Sequence, residues 1–540
     1  MRLLAHPAQT GNQLRRDDSI DRDTCVPRRS RDGVAETLSD AVALRIANHS
    51  SQPMVSGTTV DPLWPIVIAF CIMPVLILAA ICTVSGTWFD AMGAQCILAG
   101  GSFVALRLLN HYPMVNPVHA VVLVFHWWFG FGPSVCGLYW TWKGDTTTAQ
   151  NYLMGAMTPT LIVALGLPLY AWSARAVLHH WKRPQLTAVV PAGPVYGMGT
   201  LLRIAAVPVL ASLTLRVLAI FNLQVFNTVN YMGGQSTETW WLVPFAEADQ
   251  LLDFAVVIAC SLLAVPHLRK RAVTRLVMFG IILIAMQRGL TSGSKGPLVL
   301  PAFYFVVAFV NWRRRVPWVV LVAALCGYLV VVEPFVATMR LRAQTHSAAT
   351  AADRIEIFRE GWADFQISGP GSGRDVNVAS LFRGIYSLAK ETADQSSFFE
   401  GPWKGQSLRD GFSGLLPRAL FPNKAASNIG NFFARQLGVL KDKDYSTNVA
   451  ITIPFEIVGN YGWVAGCLSF AAIGVVWASF VAFVLTVPRM TTHPLAPYLI
   501  VLAMVFEASV GHFGNTIKAL LIPLALLYLV CQMKRKRASG

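Results

Sequence analysis

Charged residues are what this chain has least of: Asp, Glu, Lys and Arg together make up 13% of its 540 residues. Soluble globular domains carry about 25%, so a water-solvated fold is excluded for most of the length. Also missing are the alternating apolar and polar segments of about ten residues that a transmembrane β-barrel needs. No CxxC pair and no His/Cys cluster at zinc spacing occurs, which argues against a structural metal. The nine cysteines offer no disulfide framework. Cys71, Cys82, Cys96, Cys136, Cys260, Cys326 and Cys467 lie in apolar runs, and Cys25 and Cys531 lie near the ends.

What is abundant is apolar sequence. The chain is 54% hydrophobic with a mean hydropathy of +0.50. Apolar runs recur from Leu63 to Val530, each long enough to cross a hydrocarbon core about 30 Å thick. The expected fold class is therefore an all-α polytopic membrane protein. Twelve spans are read at 63–83, 91–110, 117–138, 156–178, 203–222, 248–267, 274–290, 296–312, 316–336, 459–487, 495–510 and 515–532. Residues 1–60 are polar and Arg-rich, lack the apolar core of a signal peptide, and read as a disordered cytoplasmic tail. Met54 would be a natural alternative start. The remaining divisions are 61–336 (spans one to nine), 337–458 (a long polar loop) and 459–540 (spans ten to twelve with a basic tail).

The net charge of +16 does not point to nucleic acid, because the cations sit in short loops between apolar runs. RAVLHHWKR (175–183), HLRKRAVTR (267–275) and RRR (313–315) all follow even-numbered spans, and the chain ends in KRKR. The positive-inside rule then puts both termini in the cytoplasm and 337–458 on the periplasmic side of a bacterial inner membrane. So long a connection tends to be functional. Within it, RIEIFREGWADF (354–365) and SLFRGIYSLAKE (380–391) have helical apolar spacing, and short amphipathic helices on the outer membrane face are expected. SGPGSGRD (368–375) reads as a flexible joint.

An ionisable residue inside a span costs on the order of 3 kcal/mol. Here most of them fall towards the outer side: Arg216, Glu247, Asp249, Asp253, Arg288, Glu333, Arg340, Glu456, Glu507 and His512, with His126 deeper. Ordinary snorkelling from helix ends accounts for Glu456 and Arg340. It accounts poorly for Arg216 and Asp253, which are expected to face a wet cavity open to the outside and to pair with each other. The hairpin RGLTSGSKGP (288–297) resembles a phosphate-binding loop without being a Walker A motif. Arg288 and Lys295 can hold a pyrophosphate there, by a bidentate fork and a point charge respectively. The plainer reading is a tight turn with two interfacial cations.

The stretch LPRALFPNKAASNIGNFFARQLG, followed by STNVAITIPFEIVGNYGWVAG (446–466), resembles Wzy-type polymerases of oligosaccharide repeat units, such as O-antigen polymerases. The elements that carry the resemblance are Pro417, Arg418, Phe421, Pro422, Lys424, Gly430, Phe432, Glu456, Asn460 and Gly462, together with the SGSKG hairpin and the large loop after span nine. It implies a GT-C-like membrane glycosyltransferase that moves a glycan from undecaprenyl pyrophosphate to the terminal sugar of another lipid-linked unit.

Its partners would be that lipid-linked oligosaccharide and the bilayer, with a chain-length regulator and a flippase nearby. No cofactor or metal is implied. On this resemblance Arg288, Lys295 and Arg418 would bind pyrophosphate, with Lys424, Arg435 and Arg216 as further candidates. The general base would be Glu456, ahead of Asp410 and His346. Glu456 reads equally well as a helix-start carboxylate favoured by the dipole. Phe432 and Phe433 are expected to dip into the lipid boundary. An O-antigen ligase shares these features; a flippase predicts internal repeats, which are absent. A polyprenyl-phosphate-sugar mannosyltransferase predicts acids in the first outer loop, where only Asp90 is found.

Overall fold

A computed structural model describes residues 64–85, 89–109, 117–180, 198–221, 252–264, 272–292, 296–313, 316–332, 335, 356, 359–360, 362–363, 385–415, 429–438, 451–486 and 510. No strand occurs among them. The chain is an all-α membrane protein: Trp64–Thr83, Phe89–Leu108, Pro117–Trp142, Thr146–His180 and Ile453–Phe483 are each long and apolar enough to cross a bilayer.

In chain order the helices are α1 (Trp64–Ser85), α2 (Phe89–Leu108) and α3 (Pro117–Trp142, with a π-helical turn at Trp127–Phe131). Next come α4 (Thr146–Gly155), α5 (Met157–His180), α6 (Met198–Phe221) and α7 (Leu252–Ala264). Then follow α8 (Ala272–Ser292), α9 (Gly296–Arg313) and α10 (Trp318–Gly327, continued by a π-helical turn at Tyr328–Val332). Short helices α11 (Ile385–Asp394), α12 (Gln406–Leu415) and α13 (Ile429–Gln436) precede the long α14 (Ile453–Thr486).

The sequence reading passed over α4, treating 139–155 as a connection. Its start is nevertheless local chemistry: Asp145 caps the helix by accepting from the Thr148 N–H at 2.9 Å and the Thr148 hydroxyl at 2.6 Å. Those two bonds, the side-chain one first, hold the Asp145 carboxyl below its ordinary range. Of the two stretches expected to be helical within 337–458, SLFRGIYSLAKE overlaps α11, while α12 and α13 fall outside both; most of RIEIFREGWADF, SGPGSGRD and the eleventh and twelfth spans, Val510 apart, lie outside the described residues.

Small residues set the packing. Gly101 of α2 comes so close to α5 that an added Cβ would lie 2.3 Å from the Ala164 carbonyl oxygen. Gly166 of α5 receives the Phe470 ring of α14, and Gly474 of α14 lies against Ser173 and the Tyr170 carbonyl. Such close approach is the usual way helices associate within lipid. The α5 and α14 registers rise together, from Ile162 beside Cys467 to Ser173 beside Gly474, so these helices run parallel. α3 runs against α5: the Tyr170 hydroxyl donates to Val118 O at 2.8 Å, and Thr160 donates to Phe129 O at 3.3 Å. It also runs against α2, since Gln95 reaches Phe129 and Ser102 reaches His126. Parallel α5 and α14 require an odd number of membrane crossings between them, and α6 to α10 supply five apolar helices there.

Candidate functional site

The first candidate corner is the entrance of α14. A straight helix is impossible there, because Gly462 sits at φ 84°, ψ −179°, a backbone region open to glycine almost alone. The sequence reading began this span at 459. The helix in fact begins at Ile453 and breaks at Gly462, and 463–486 remains long enough to cross about 30 Å.

The backbone groups freed by the break are filled by the loop 396–405. Trp463 N–H donates to Ser397 O at 3.0 Å and Val464 N–H to Phe398 O at 3.1 Å, while Trp403 N–H donates to Gly459 O at 2.8 Å. The Trp463 indole adds a bond to Ala393 O at 2.9 Å, tying α11 to the same place. Gly401 and Gly459 leave room for this plug: a Cβ on Gly401 would meet Gly459 O at 2.2 Å, and one on Gly459 would meet the Trp403 ring. Lys390 of α11 lies over Gly155 at the α4–α5 junction. Its ammonium contacts Asp394 at 2.9 Å and Glu391 at 3.1 Å. The Asp394 bond first, and then Glu391, raise its pKa.

Within the short helix before the break, Glu456 is fully buried. One carboxylate oxygen, Oε2, accepts the Val510 N–H at 2.6 Å. Asn460 donates from Nδ2 to the Ser407 hydroxyl of α12 and to Glu456 O, both at 2.6 Å. Glu456 Oε1, Asn460 Oδ1 and Thr452 Oγ1 are buried and have no hydrogen-bond partner among the described residues. A buried polar oxygen left unmet costs about 1–3 kcal/mol, more when charged. Three such oxygens lie within three turns of one another. Snorkelling does not describe Glu456, which points inward.

The second corner joins α6 and α8. Arg216 is half-buried; its Nε donates to Gln287 Oε1 at 2.6 Å and its Nη1 to Ser212 O at 2.9 Å, with the Ser212 hydroxyl also in contact. Gln287 directly precedes Arg288 near the C-terminal end of α8, so Arg216 stands beside the turn that carries Arg288. Asp253, the partner expected for Arg216, lies on α7, which packs against α6.

Of the other sequence candidates, Asp410 lies on α12 and Arg435, half-buried, on α13. His346, Lys295, Arg418 and Lys424 lie outside the described residues. Phe433 departs from expectation: it is buried and stacks on Trp403 with ring centroids 4.0 Å apart, because the plug loop offers it a protein surface instead of lipid. No group of His, Cys, Asp and Glu able to hold a metal ion occurs among the described residues.

A third polar set was not assembled from sequence. Ser102 Oγ and His126 Nδ1 are 2.9 Å apart, and Phe129 O accepts both Gln95 Nε2 at 2.8 Å and Thr160 Oγ1. The signal for it was present in Pro74, which deprives Phe70 O of its helix donor, and in the Gly-aromatic run WWFGFG that forms the π-helical turn. No family model, curated protein or solved structure matches this chain.

Proposed function

We propose that this protein is a membrane glycosyltransferase that polymerises lipid-linked oligosaccharide repeat units. On this reading it is a GT-C-like enzyme of about twelve spans in a bacterial inner membrane, with both termini cytoplasmic. Catalysis takes place on the periplasmic side, where the segment 337–458 covers the outer ends of the helices. The odd crossing count between α5 and α14 supports that topology, as does the positive-inside pattern.

The observation that carries the reading is Glu456: fully buried at the mouth of a broken helix, with Oε2 bonded to the Val510 N–H, the Ser407 hydroxyl beside the carboxylate, and Oε1 without a partner among the described residues. In the reaction, the acceptor hydroxyl oxygen attacks the anomeric carbon of the donor glycan. The bond from that carbon to pyrophosphate oxygen breaks, the hydroxyl proton passes to Glu456 Oε1, and undecaprenyl pyrophosphate leaves. General-base assistance of this kind contributes about 10²–10⁴ in rate. Arg216, Arg288, Lys295 and Arg418, with Lys424 and Arg435 behind them, stabilise the negative charge on the leaving pyrophosphate, each charge-assisted bond supplying about 1.5–3 kcal/mol. Because Glu456 is covered by α12 through Ser407, substrate entry requires α12 to shift.

Deleting the protein tests this directly. Surface polysaccharide should collapse from a ladder to a single repeat unit on a gel, and restoring the wild-type chain should restore the ladder. Glu456→Gln and Arg216→Ala should fail to restore it at undiminished membrane abundance. An unchanged ladder in the deletion refutes the polymerase. Long lipid-linked polymer that is never joined to lipid A core identifies a ligase instead.

A further inference from the structure

We propose that the groove between the C-terminal ends of α2 and α5 binds the phosphate of an anionic membrane phospholipid. The groove is a cavity of about 560 Å³ lined by Leu108, Trp172, Arg175, Ala176, His179 and His180. That volume lies within the range of small-molecule sites. α2 and α5 come together at Gly101 and Ala164, seven residues before Leu108 and eight before Trp172.

On α5, Trp172, Ala176 and His179 recur at i, i+4 and i+7 and form one exposed stripe facing the end of α2. The stripe is graded in chemistry. Trp172 is 65% exposed and, with Leu108, presents an apolar wall suited to a glycerol backbone and the tops of acyl chains. One turn further on, His179 and His180 each offer a ring N–H, and the Arg175 guanidinium adds positive charge to the lining. Cations at a helix C-terminus are also favoured by the dipole. That effect explains their sign but not a cavity whose lining combines an indole with a guanidinium and two imidazoles.

The wider sequence gives the same field. Arg107 is exposed beside Leu108, Lys182 and Arg183 follow α5, and no Asp or Glu occurs between Asp145 and Glu238. Basic pockets between helix ends at a membrane surface are suited to anionic headgroups. The groove lies at the opposite end of α5 from α11 and the Glu456 corner, so the proposal stands independently of the glycosyltransferase reading.

The test is native mass spectrometry of the full-length protein in detergent, titrated with phosphatidylglycerol or phosphatidylcholine. The wild type should retain one phosphatidylglycerol about tenfold more tightly than phosphatidylcholine. The pair His179→Glu with His180→Glu, both at exposed positions, should lose that preference while eluting as a monodisperse peak. The pair His179→Arg with His180→Arg should keep it. Three results overturn the proposal: no preference in the wild type, a preference that survives the Glu pair, or one that is lost in the Arg pair. Inorganic phosphate at millimolar concentration should fail to displace the lipid; full displacement would assign the groove to a soluble anion and overturn the lipid.

Discussion

Gly462→Ala is the substitution whose consequence follows most directly from the structure. Alanine at φ 84°, ψ −179° carries backbone strain of about 1–3 kcal/mol. Its methyl would lie 2.6 Å from both Glu400 N and Ser397 O and 2.8 Å from Phe398 C. All three are backbone atoms, so no side-chain rotation relieves the clash and the plug loop must withdraw. Withdrawal forfeits the Trp463 and Val464 bonds to that loop, each worth about 0.5–1.5 kcal/mol. Those bonds are lost on opening in the wild type as well, so the shift comes from the strain of the closed state, about 1–3 kcal/mol, and every 1.4 kcal/mol is tenfold in an equilibrium. Opening of the plug should therefore become at least ~5-fold more frequent.

Hydrogen–deuterium exchange on purified protein reads this at the amides of Trp463, Val464 and Trp403. Gly100→Ala is the control, because a methyl there meets nothing within 4 Å. If Gly462→Ala leaves those three amides within threefold of the wild type, the plug does not hold the break and the account of this corner fails.

Other substitutions probe the remaining contacts. Gly474→Ala puts a methyl 2.1 Å from Ser173 Oγ and 2.4 Å from Tyr170 O, and should lower the thermal midpoint in detergent, whereas Gly93→Ala, in open space, should not. Glu456→Ala removes the acceptor of the part-buried Val510 N–H and should destabilise by about 1–3 kcal/mol in thermal or denaturant unfolding. Glu456→Gln keeps an acceptor there and should remain near wild-type stability while losing polymerisation. Lys390 has a folded pKa raised above its ordinary 10.5. Its stabilising contribution is therefore fully present below that value and lost as pH rises through the folded one. The difference in thermal midpoint between wild type and Lys390→Met should accordingly be constant from pH 7 to 9 and shrink above about 10.5; a difference that grows there contradicts the sign.

Much of the architecture was legible because lipid leaves a helix few alternatives. With no water to satisfy the backbone, an apolar run must close its own hydrogen bonds, and runs such as WPIVIAFCIMPVLILAAICTVS declare themselves. Gly462 and Glu456 were also legible, as a turn and a charge before a span. What the turn does was not legible, since its partners are Ser397, Phe398 and Trp403, some sixty residues upstream. Phe433 was read as lipid-facing for the same reason: its neighbour Trp403 lies in another element. Arg216 was recognised as too deep for a snorkelling residue, but Gln287, one of the groups that accept from it, is neutral and left no charge pattern to follow.

The polar set around His126 and the one around Glu456 look alike in composition, and their hydrogen bonds and charge tell them apart. At His126 the side chains repair irregular backbone. Pro74 removes a donor from Phe70 O, and the His126 and Phe70 rings lie 5.5 Å apart beside it. The π-helical turn presents Phe129 O to Gln95 and Thr160. Polar side chains spent on freed carbonyls hold a kink in place, and kinks in membrane helices need such repair. At Glu456 the repair of the broken helix is done by other groups, the backbone of residues 397–403. Glu456 Oε1, the Asn460 amide oxygen and the Thr452 hydroxyl are not used in that repair and have no partner among the described residues, and the same holds for His126 Nε2 and Gln95 Oε1. What separates the two corners is charge: a buried carboxylate oxygen costs more to leave unmet than a neutral ring nitrogen or amide oxygen, and that is the physical ground for putting the chemistry at Glu456 and the scaffold at His126.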